Sequence, residues 1–153
     1  PNKKIDPNNY IEPDELVNLI EVFWKEKDRF IDGYVQKNPL NLTYRNLNII
    51  KDFKYGMRKN FLLAVYEKNY TVLNDEGINY MVKGLNENLD KFIPAEKTPM
   101  LIQTAIMPFN GMIIYDGFIS TADMQLSQKL VSKAFEDYSY GQKIYSLLPK
   151  NMN

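Results

Sequence analysis

One stretch of sequence says more about the fold than any other: Pro108-Phe-Asn-Gly-Met-Ile-Ile-Tyr-Asp-Gly-Phe-Ile-Ser120. Within it, Asn110-Gly111 stands between two apolar runs. This is the strongest short-range signal for a β-hairpin, because both residues tolerate the positive φ that a type I′ turn requires. We therefore predict a hairpin whose strands cover residues 100–109 and 112–119.

A two-residue turn also fixes how the two strands pair. Counting back from the turn places Pro108 opposite Ile113 and Ala105 opposite Asp116. The Pro108–Ile113 pair is of the non-hydrogen-bonded kind, so the N–H that proline lacks would have pointed away from this partner. Proline is tolerated there only if the other side of its strand is an edge or is locally unpaired.

Both faces of the predicted hairpin are largely apolar, so both should be covered by helices, by loops or by a second subunit. One of these faces carries Phe109, Met112 and Ile114, and also Gln103 and Asp116. We predict that part of the apolar surface near Phe109, Met112 and Ile114 is closed by a second copy of the chain, as a two-fold homodimer.

Asp116 is the one carboxylate that this register places among apolar neighbours. Buried carboxylates have raised pKa values unless they are paired, and such groups cluster at functional sites. One hypothesis makes Asp116 a catalytic acid or base, oriented by Tyr115 or Gln103. The commoner interpretation is structural: Asp116-Gly117 marks a bulge or a strand end, where the carboxylate accepts hydrogen bonds from backbone N–H groups.

The sequence around the hairpin predicts an α+β fold, with N-terminal helices, an antiparallel β-meander of about five strands and a C-terminal helix. Pro13-Asp14-Glu15 opens the first helix, because proline suits the first helical position and acids suit the positive end of the helix dipole. Its broad apolar stripe predicts packing along much of its length. Asn38-Pro39 ends this helix, since the residue before proline avoids the α region.

The period of the apolar residues places the remaining elements. A second helix over 44–58 completes a helical part of 13–58, and the sheet part of 61–120 contains the hairpin and predicted strands at 61–66, 70–73 and 78–83. Ser120-Thr-Ala-Asp123 resembles a capping box that opens a C-terminal helix over about 123–139, and Gly141 is its predicted stop. Residues 144–148 fit either a last strand or a short helix. We assign the whole chain, 1–153, to one domain.

Composition excludes several kinds of chemistry. The chain has no His and no Cys, so imidazole or thiolate metal sites and a Ser-His-Asp triad are impossible within it. We predict no metal and no cofactor. The net charge is zero, which argues against a dedicated nucleic-acid binder, because such proteins usually carry a basic excess. No apolar run is long enough for a membrane span and the first residues lack a secretory apolar segment, so we predict a cytoplasmic protein without membrane contact.

One short segment, residues 51–59, is basic with aromatic residues interleaved. Its usual interpretation is the solvated face of a helix. The lesser hypothesis is weak nucleic-acid binding, with Phe53 or Tyr55 stacking on bases and phosphate contacts made by four cations, Lys51, Lys54, Arg58 and Lys59.

Three segments resemble a group of uncharacterised bacterial proteins. They are Phe61-Leu-Leu-Ala-Val-Tyr66, Ile78-Asn-Tyr-Met-Val-Lys-Gly-Leu85 and Met107-Pro-Phe-Asn-Gly-Met-Ile-Ile-Tyr-Asp-Gly-Phe118. Those proteins carry a Leu-Pro-Phe-x-x-x-Ile-Ile-Tyr-Asp-Gly segment, and some end in a cysteine-rich zinc motif of the type found at the C-terminus of the secretion motor protein. This chain has Met107 in the usual Leu place and lacks the zinc motif. The resemblance, which covers roughly 50–148, implies a bacterial intracellular domain and no particular activity.

These observations favour a non-enzymatic binding or interaction module, whose partner is an unknown protein or a second copy of the chain. This interpretation rests on the absence of His and Cys together with a sheet that is apolar on both faces. The alternative is a carboxylate-dependent enzyme that uses Asp116.

Overall fold

The computed structural model describes residues 12–121 and 128–149. These residues form four α-helices and seven strands, which confirms the α+β class. The helices are α1 (Pro13–Lys25), α2 (Lys27–Lys37), α3 (Tyr44–Asp52) and α4 (Gln128–Tyr140). The strands are β1 (Met57–Glu67), β2 (Tyr70–Asp75), β3 (Ile78–Lys83), β4 (Met100–Phe109), β5 (Met112–Tyr115), β6 (Ser120–Thr121) and β7 (Gln142–Ile144).

The N-terminal helices differ from the prediction at two points. The predicted first helix is broken at Glu26, whose backbone is not helical (φ −122°, ψ 29°). Phe23 stacks on Phe30 across this break, with ring centroids 6.1 Å apart, so aromatic packing holds the bend between α1 and α2. The predicted helix over 44–58 ends early. A single 3-10 turn, Phe53–Tyr55, follows α3, and Gly56 leads directly into β1.

Five of the strands close into a ring in the order β1-β2-β3-β5-β4. The ring closes because β1 is long enough to pair with β4 along its first half and with β2 along its second half. A register shift between Leu63 and Val65 lies in β1, and irregularities of this kind bend and twist a strand.

The predicted antiparallel meander is wrong in one respect, because the sheet is mixed. β5 lies between β3 and β4 and runs parallel to β3, as does the short strand β7. The other neighbouring pairs are antiparallel. A five-stranded ring with this order and one parallel pair has the connectivity of the OB-fold, a Greek-key barrel.

The main core fills the inside of this barrel. Its buried side chains come from all five strands of the ring and include Phe61, Leu63, Leu73, Tyr80, Val82, Ile102, Ile106, Ile113 and Tyr115. Leu89 and Ile93 join this core from the β3–β4 connection. Two tyrosine hydroxyls secure the connection: Tyr66 donates to the Ile93 carbonyl and Tyr115 to the Glu87 carbonyl, each at 2.7 Å. Burial raises the pKa of the Tyr66 hydroxyl to about 12, so it stays a donor at ordinary pH.

The hairpin forms as the sequence predicts. Asn110 and Gly111 both have positive φ (48° and 76°), as a type I′ turn requires. Pro108 pairs with Ile113. On its other side the β1–β4 ladder stops at the Met57–Ile106 pair, so Pro108 is locally unpaired there, as its missing N–H demands.

α4 covers part of the outer face of the barrel. Ala134 and Tyr138 of α4 pack on a second apolar cluster formed by Leu62, Ala64, Val72 and Met81. Gly141 follows the last residue of α4, as predicted, and its N–H donates to the Tyr138 carbonyl. The chain then pairs with β3 as β7. Of the predicted last segment, 144–148, only Ile144 belongs to this strand, and residues 145–148 form neither strand nor helix. The predicted capping box begins in β6 and continues into residues 122–127, which lie outside the described residues.

Candidate functional site

Asp116 occupies the end of β5, where the chain turns away from the barrel. The predicted strand 112–119 stops at Tyr115. The Asp116 N–H still donates to the Ala105 carbonyl at 3.1 Å, which continues the predicted register by one residue. Its Oδ1 accepts the Phe118 N–H at 3.0 Å, and Gly117 between them has a φ of 87°. The backbone contact expected from the structural interpretation of Asp116 is therefore present.

Two side chains from distant parts of the sequence reach the same place. The Trp24 side chain of α1 lies within hydrogen-bonding reach of the Asp116 carboxylate and favours its charged form. Arg58 of β1 lies near it, and its guanidinium also contacts the Phe118 carbonyl at 3.5 Å. The Arg58 side chain is only 6% exposed and its Nε donates to Glu21 Oε1 at 3.1 Å. Neither Trp24 nor Glu21 was identified as a site residue from sequence, because α1 offers only a general apolar pattern.

Burial raises the pKa of the Asp116 carboxyl above its usual value. Four interactions oppose this effect without cancelling it: the Phe118 N–H, the positive charge of Arg58, a backbone hydrogen bond with Ala105 and the Trp24 side chain. Asp116 is thus a half-buried carboxyl in a mixed apolar and polar setting. Its protonated form is favoured relative to that of an ordinary aspartate.

The two residues proposed to orient Asp116 lie in different places. Tyr115 faces the barrel interior, where its hydroxyl donates to the Glu87 carbonyl and burial raises its pKa. Gln103 lies on β4, on the outer face that also carries Arg58 and Asp116. The structure therefore brings Gln103, Arg58 and Asp116 to one face and directs Tyr115 to the other.

Two depressions flank this point. The first, which we call the α1 groove, has a volume of about 790 Å³ and runs between α1 and the barrel, lined by Asn18, Glu21, Trp24, Lys25, Arg58 and Gln103, among others. The second, which we call the Asp116 cavity, has a volume of about 420 Å³ and is lined by Leu85, Glu87, Phe92, Tyr115, Asp116 and Gly117, among others. It forms where the carboxyl ends of the parallel strands β3 and β5 meet.

The raised pKa of Asp116 predicts a specific dependence of stability on pH. A carboxyl whose pKa is raised on folding binds its proton more tightly in the folded state, so its contribution is fully present below the unfolded pKa of about 4 and is lost as pH rises through the folded pKa. Asp116→Asn removes this loss and keeps an oxygen that can accept the Phe118 N–H. We expect the melting temperature of Asp116→Asn, relative to wild type, to rise between pH 4 and pH 7.

The matched control is Asp90→Asn, which makes the same change at an exposed position. Its melting temperature relative to wild type should show no such rise. If Asp116→Asn instead becomes less stable relative to wild type as pH increases, the carboxylate is stabilised in its charged form and the assignment fails.

The basic residues of the segment 51–59 do not form one patch. Lys51 is exposed on α3 and Lys54 lies in the following turn, whereas Arg58 and Lys59 are successive residues of a strand and point to opposite faces. Three of the four are paired with acids: Lys54 with Asp32 at 2.7 Å, Arg58 with Glu21 at 3.1 Å and Lys59 with Asp75 at 3.1 Å. The prediction that these residues form the face of a helix is therefore wrong beyond α3, because residues 57–63 pair with β4 as a strand.

The residues of the predicted dimer interface are partly covered within one chain. Ile114 is 3% exposed, and Phe109 and Met112 are half-buried. Ile49 and Phe53 line the same shallow depression as Phe109, so α3 and the turn after it shield this end of the hairpin. The homodimer stays a prediction, but little of its proposed apolar surface is open.

The largest departure from the expected burial is in α1. It is the most apolar of the four described helices, yet none of its thirteen residues is buried. Val17, Leu19 and Val22 are 52%, 39% and 48% exposed. One face of α1 is half-buried, through Leu16, Ile20, Phe23 and Trp24. The helix therefore packs only partly, and it presents other apolar side chains to solvent beside the α1 groove.

Within residues 12–121 and 128–149, no group of three or more acidic, His or Cys side chains is placed to hold a metal ion. None of the helices described is both long and apolar enough to cross a membrane. No family model matches the chain, and neither does a curated protein or a solved structure. The bacterial group suggested by the sequence thus remains a prediction.

Proposed function

We propose that this chain is a non-enzymatic interaction module that binds a partner protein over α1. The observation that carries this proposal is the burial of α1: an apolar helix with no buried residue. Leu19 and Val22 are three residues apart and share one side of α1, and contiguous exposed apolar surface rimmed by polar residues marks interaction sites. Polar and charged residues surround the apolar side chains here: Asn18, Glu21 and Lys25 belong to the same helix and line the α1 groove.

The arrangement of the barrel also favours α1 as the binding site, rather than the surface that OB-folds commonly use. Such barrels bind oligonucleotides and oligosaccharides on the face of their second and third strands. Here Val72 of β2 and Met81 of β3 belong to the outer cluster on which α4 packs. With that face occupied and three of the four cations in 51–59 paired, nucleic-acid binding is the less supported hypothesis.

A triple substitution tests the proposal. Changing Val17, Leu19 and Val22 to Ser removes the exposed apolar side chains of α1, and we expect loss of the proteins that co-purify with the wild-type chain from the organism that encodes it. Because these residues are exposed, each change should alter the free energy of unfolding by no more than about 0.5 kcal/mol. Quantitative mass spectrometry of the captured proteins and a melting curve measure the two effects.

The control changes two other exposed apolar residues, Leu40 and Tyr44, which are 71% and 77% exposed. Proteins lost from the α1 variant but retained by this control support the proposal. An unchanged set in both variants contradicts it. Light scattering identifies the case in which the partner is a second copy, since a monomer has a mass near 18.0 kDa.

A second candidate function, carboxylate-dependent catalysis by Asp116, is favoured by one observation. Glu87 and Asp116 line the same Asp116 cavity, and pairs of carboxyl groups across a cavity perform acid–base chemistry in glycoside-cleaving enzymes. The raised pKa of Asp116 suits an acid. An activity that Asp116→Asn abolishes while the variant stays folded would favour this function. A cytoplasmic location and a bacterial origin likewise stand as proposals from the sequence.

A further inference from the structure

The helix α1 is attached to the barrel in a different way from α4. Ala134 and Tyr138 of α4 pack on the outer apolar cluster of the barrel. Among the described residues, no apolar side chain of α1 belongs to that cluster or to the core inside the barrel, or packs against either. Amphipathic helices are normally held by their apolar face, so contacts of another kind hold α1 in place.

Polar contacts between α1 and the barrel meet at Arg58. Its Nε donates to Glu21 Oε1 of α1 at 3.1 Å, and its positive charge also acts on the Asp116 carboxylate at the end of β5. Trp24, three residues after Glu21, lies within hydrogen-bonding reach of the same carboxylate. One enclosed cation, whose side chain is 6% exposed, thus joins α1, β1 and the end of β5.

The helix α2 is fixed by separate contacts. Lys27 forms an ion pair with Asp28 at 3.0 Å and donates to the Lys54 carbonyl. Lys54 in turn pairs with Asp32 of α2 at 2.7 Å. These contacts hold α2 on the turn that follows α3, and the helical backbone is broken at Glu26, between α1 and α2. α1 is therefore able to move while α2 stays in place.

We propose that Arg58 acts as a clasp: while it binds Glu21, α1 stays against the barrel, and when this pair opens, α1 leaves the barrel as a unit about Glu26 while the barrel remains folded. The stacked rings of Phe23 and Phe30 join α1 to α2 and not to the barrel, so they keep the released helix beside α2. This inference rests on the proposed interaction over α1 and names what regulates it.

The surroundings of Arg58 make such an opening inexpensive. A buried charge without a partner is costly, but Asp116 stays beside Arg58 after Glu21 has left. Glu21 is already 53% exposed, so its carboxylate passes readily into water. Because no buried apolar cluster is broken, the opening belongs to the local events that need far less free energy than global unfolding.

Opening of the clasp changes what a partner is able to reach. In the closed form, Leu19 and Val22 are exposed, whereas the side of α1 that carries Glu21 and Trp24 lies toward the barrel. A partner that takes a helix into a groove surrounds more than one side of it, which the barrel prevents while the clasp is closed. The partner therefore binds the open form, and its apparent affinity rises with the fraction of open molecules.

Hydrogen exchange of the full chain measures the opening. A free helix of thirteen residues is marginal in water, so the amides of α1 exchange when the clasp opens. In Glu21→Ala we expect the amides of α1 to exchange at least about fivefold faster, while those of β1 and β4 keep their rates. The emission of Trp24, the one tryptophan of the chain, should shift to longer wavelength as its ring enters water.

Asn18→Ala is the matched control, because Asn18 lies one turn earlier in α1 and lines the same groove. Alanine is the best helix former, so neither substitution weakens the helix itself. The control should change exchange in α1 less than about twofold and leave the Trp24 emission unchanged. Arg58→Met removes the whole clasp, so adding Glu21→Ala to it should not accelerate exchange further.

Three results would overturn the clasp. Unchanged exchange of α1 in Glu21→Ala would mean that the pair does not hold the helix, and this arm does not depend on whether Arg58→Met folds, since Glu21 is exposed. Equal acceleration by Asn18→Ala would mean that any change in the groove loosens α1. Acceleration of β1 and β4 together with α1 would mean that the helix opens only when the barrel unfolds.

Capture of partner proteins separates this inference from the proposed function. The proteins lost from the α1 triple variant should be captured in larger amounts by Glu21→Ala. If Glu21→Ala releases α1 but captures no more of them than wild type, the interaction over α1 stands and its regulation by the clasp is wrong. If the triple variant captures the same proteins as wild type while Glu21→Ala still releases α1, the proposed function fails and the clasp remains.

Discussion

Replacing Phe61 with alanine is expected to lower the free energy of unfolding by about 3–5 kcal/mol. Phe61 is fully buried inside the barrel. Its ring meets Tyr80 edge to face, with centroids 5.9 Å apart. Removing the ring leaves a cavity that β1 cannot fill by moving, because β1 is fixed on one side by β2 and on the other by β4. Urea denaturation measures the loss.

Phe92→Ala is the matched control, since the same atoms are removed from a side chain that is 61% exposed. Its effect should not exceed about 1 kcal/mol. Similar losses at Phe61 and Phe92 would mean that the barrel interior does not carry the stability of the chain.

Asn79→Ala is expected to cost about 2–3 kcal/mol, because it leaves buried polar groups without partners. Asn79 is 1% exposed. Its Oδ1 accepts from Asn74 at 2.6 Å, and its Nδ2 donates to the carbonyls of Tyr138 and Gly141 at 2.8 and 3.4 Å. These bonds hold the end of α4 on the barrel, so hydrogen exchange should accelerate in α4 more than in β4.

The control for this change is Asn60→Ala, at an exposed position of β1. It should alter stability by no more than about 0.5 kcal/mol and leave exchange in α4 unchanged. Normal protection of α4 in Asn79→Ala would show that apolar packing alone, through Ala134 and Tyr138, holds the helix.

The hairpin shows how much a short sequence can determine. Asn110-Gly111 requires a turn with positive φ at both residues, and the turn then fixes which residues pair. Pro108 correctly indicated a locally unpaired backbone, because a residue without an N–H cannot donate a hydrogen bond to a neighbouring strand. Asp116 was identified by the same counting, and its hydrogen bond to the Phe118 N–H is a local contact within three residues.

The order of the strands had no comparable signal. Pairing of β3 with β5 joins residues about thirty positions apart. No short turn connects the two strands, so the sequence has no local signal that they run parallel. Met57 and Arg58 fit a helical period, yet they form a strand because β4 offers them a hydrogen-bonding partner. Local preference gives way where tertiary pairing supplies more contacts.

The same distinction between local and tertiary determinants applies to the candidate site. The sequence by itself determined the α+β class, the turn at Asn110-Gly111 and the exceptional position of Asp116, because these depend on φ, on period and on register within a few residues. Only the tertiary structure decided that Arg58 meets Glu21, 37 residues away, and that α1 stays unburied. Closing the barrel determines both, since it brings distant segments together and leaves α1 outside the core.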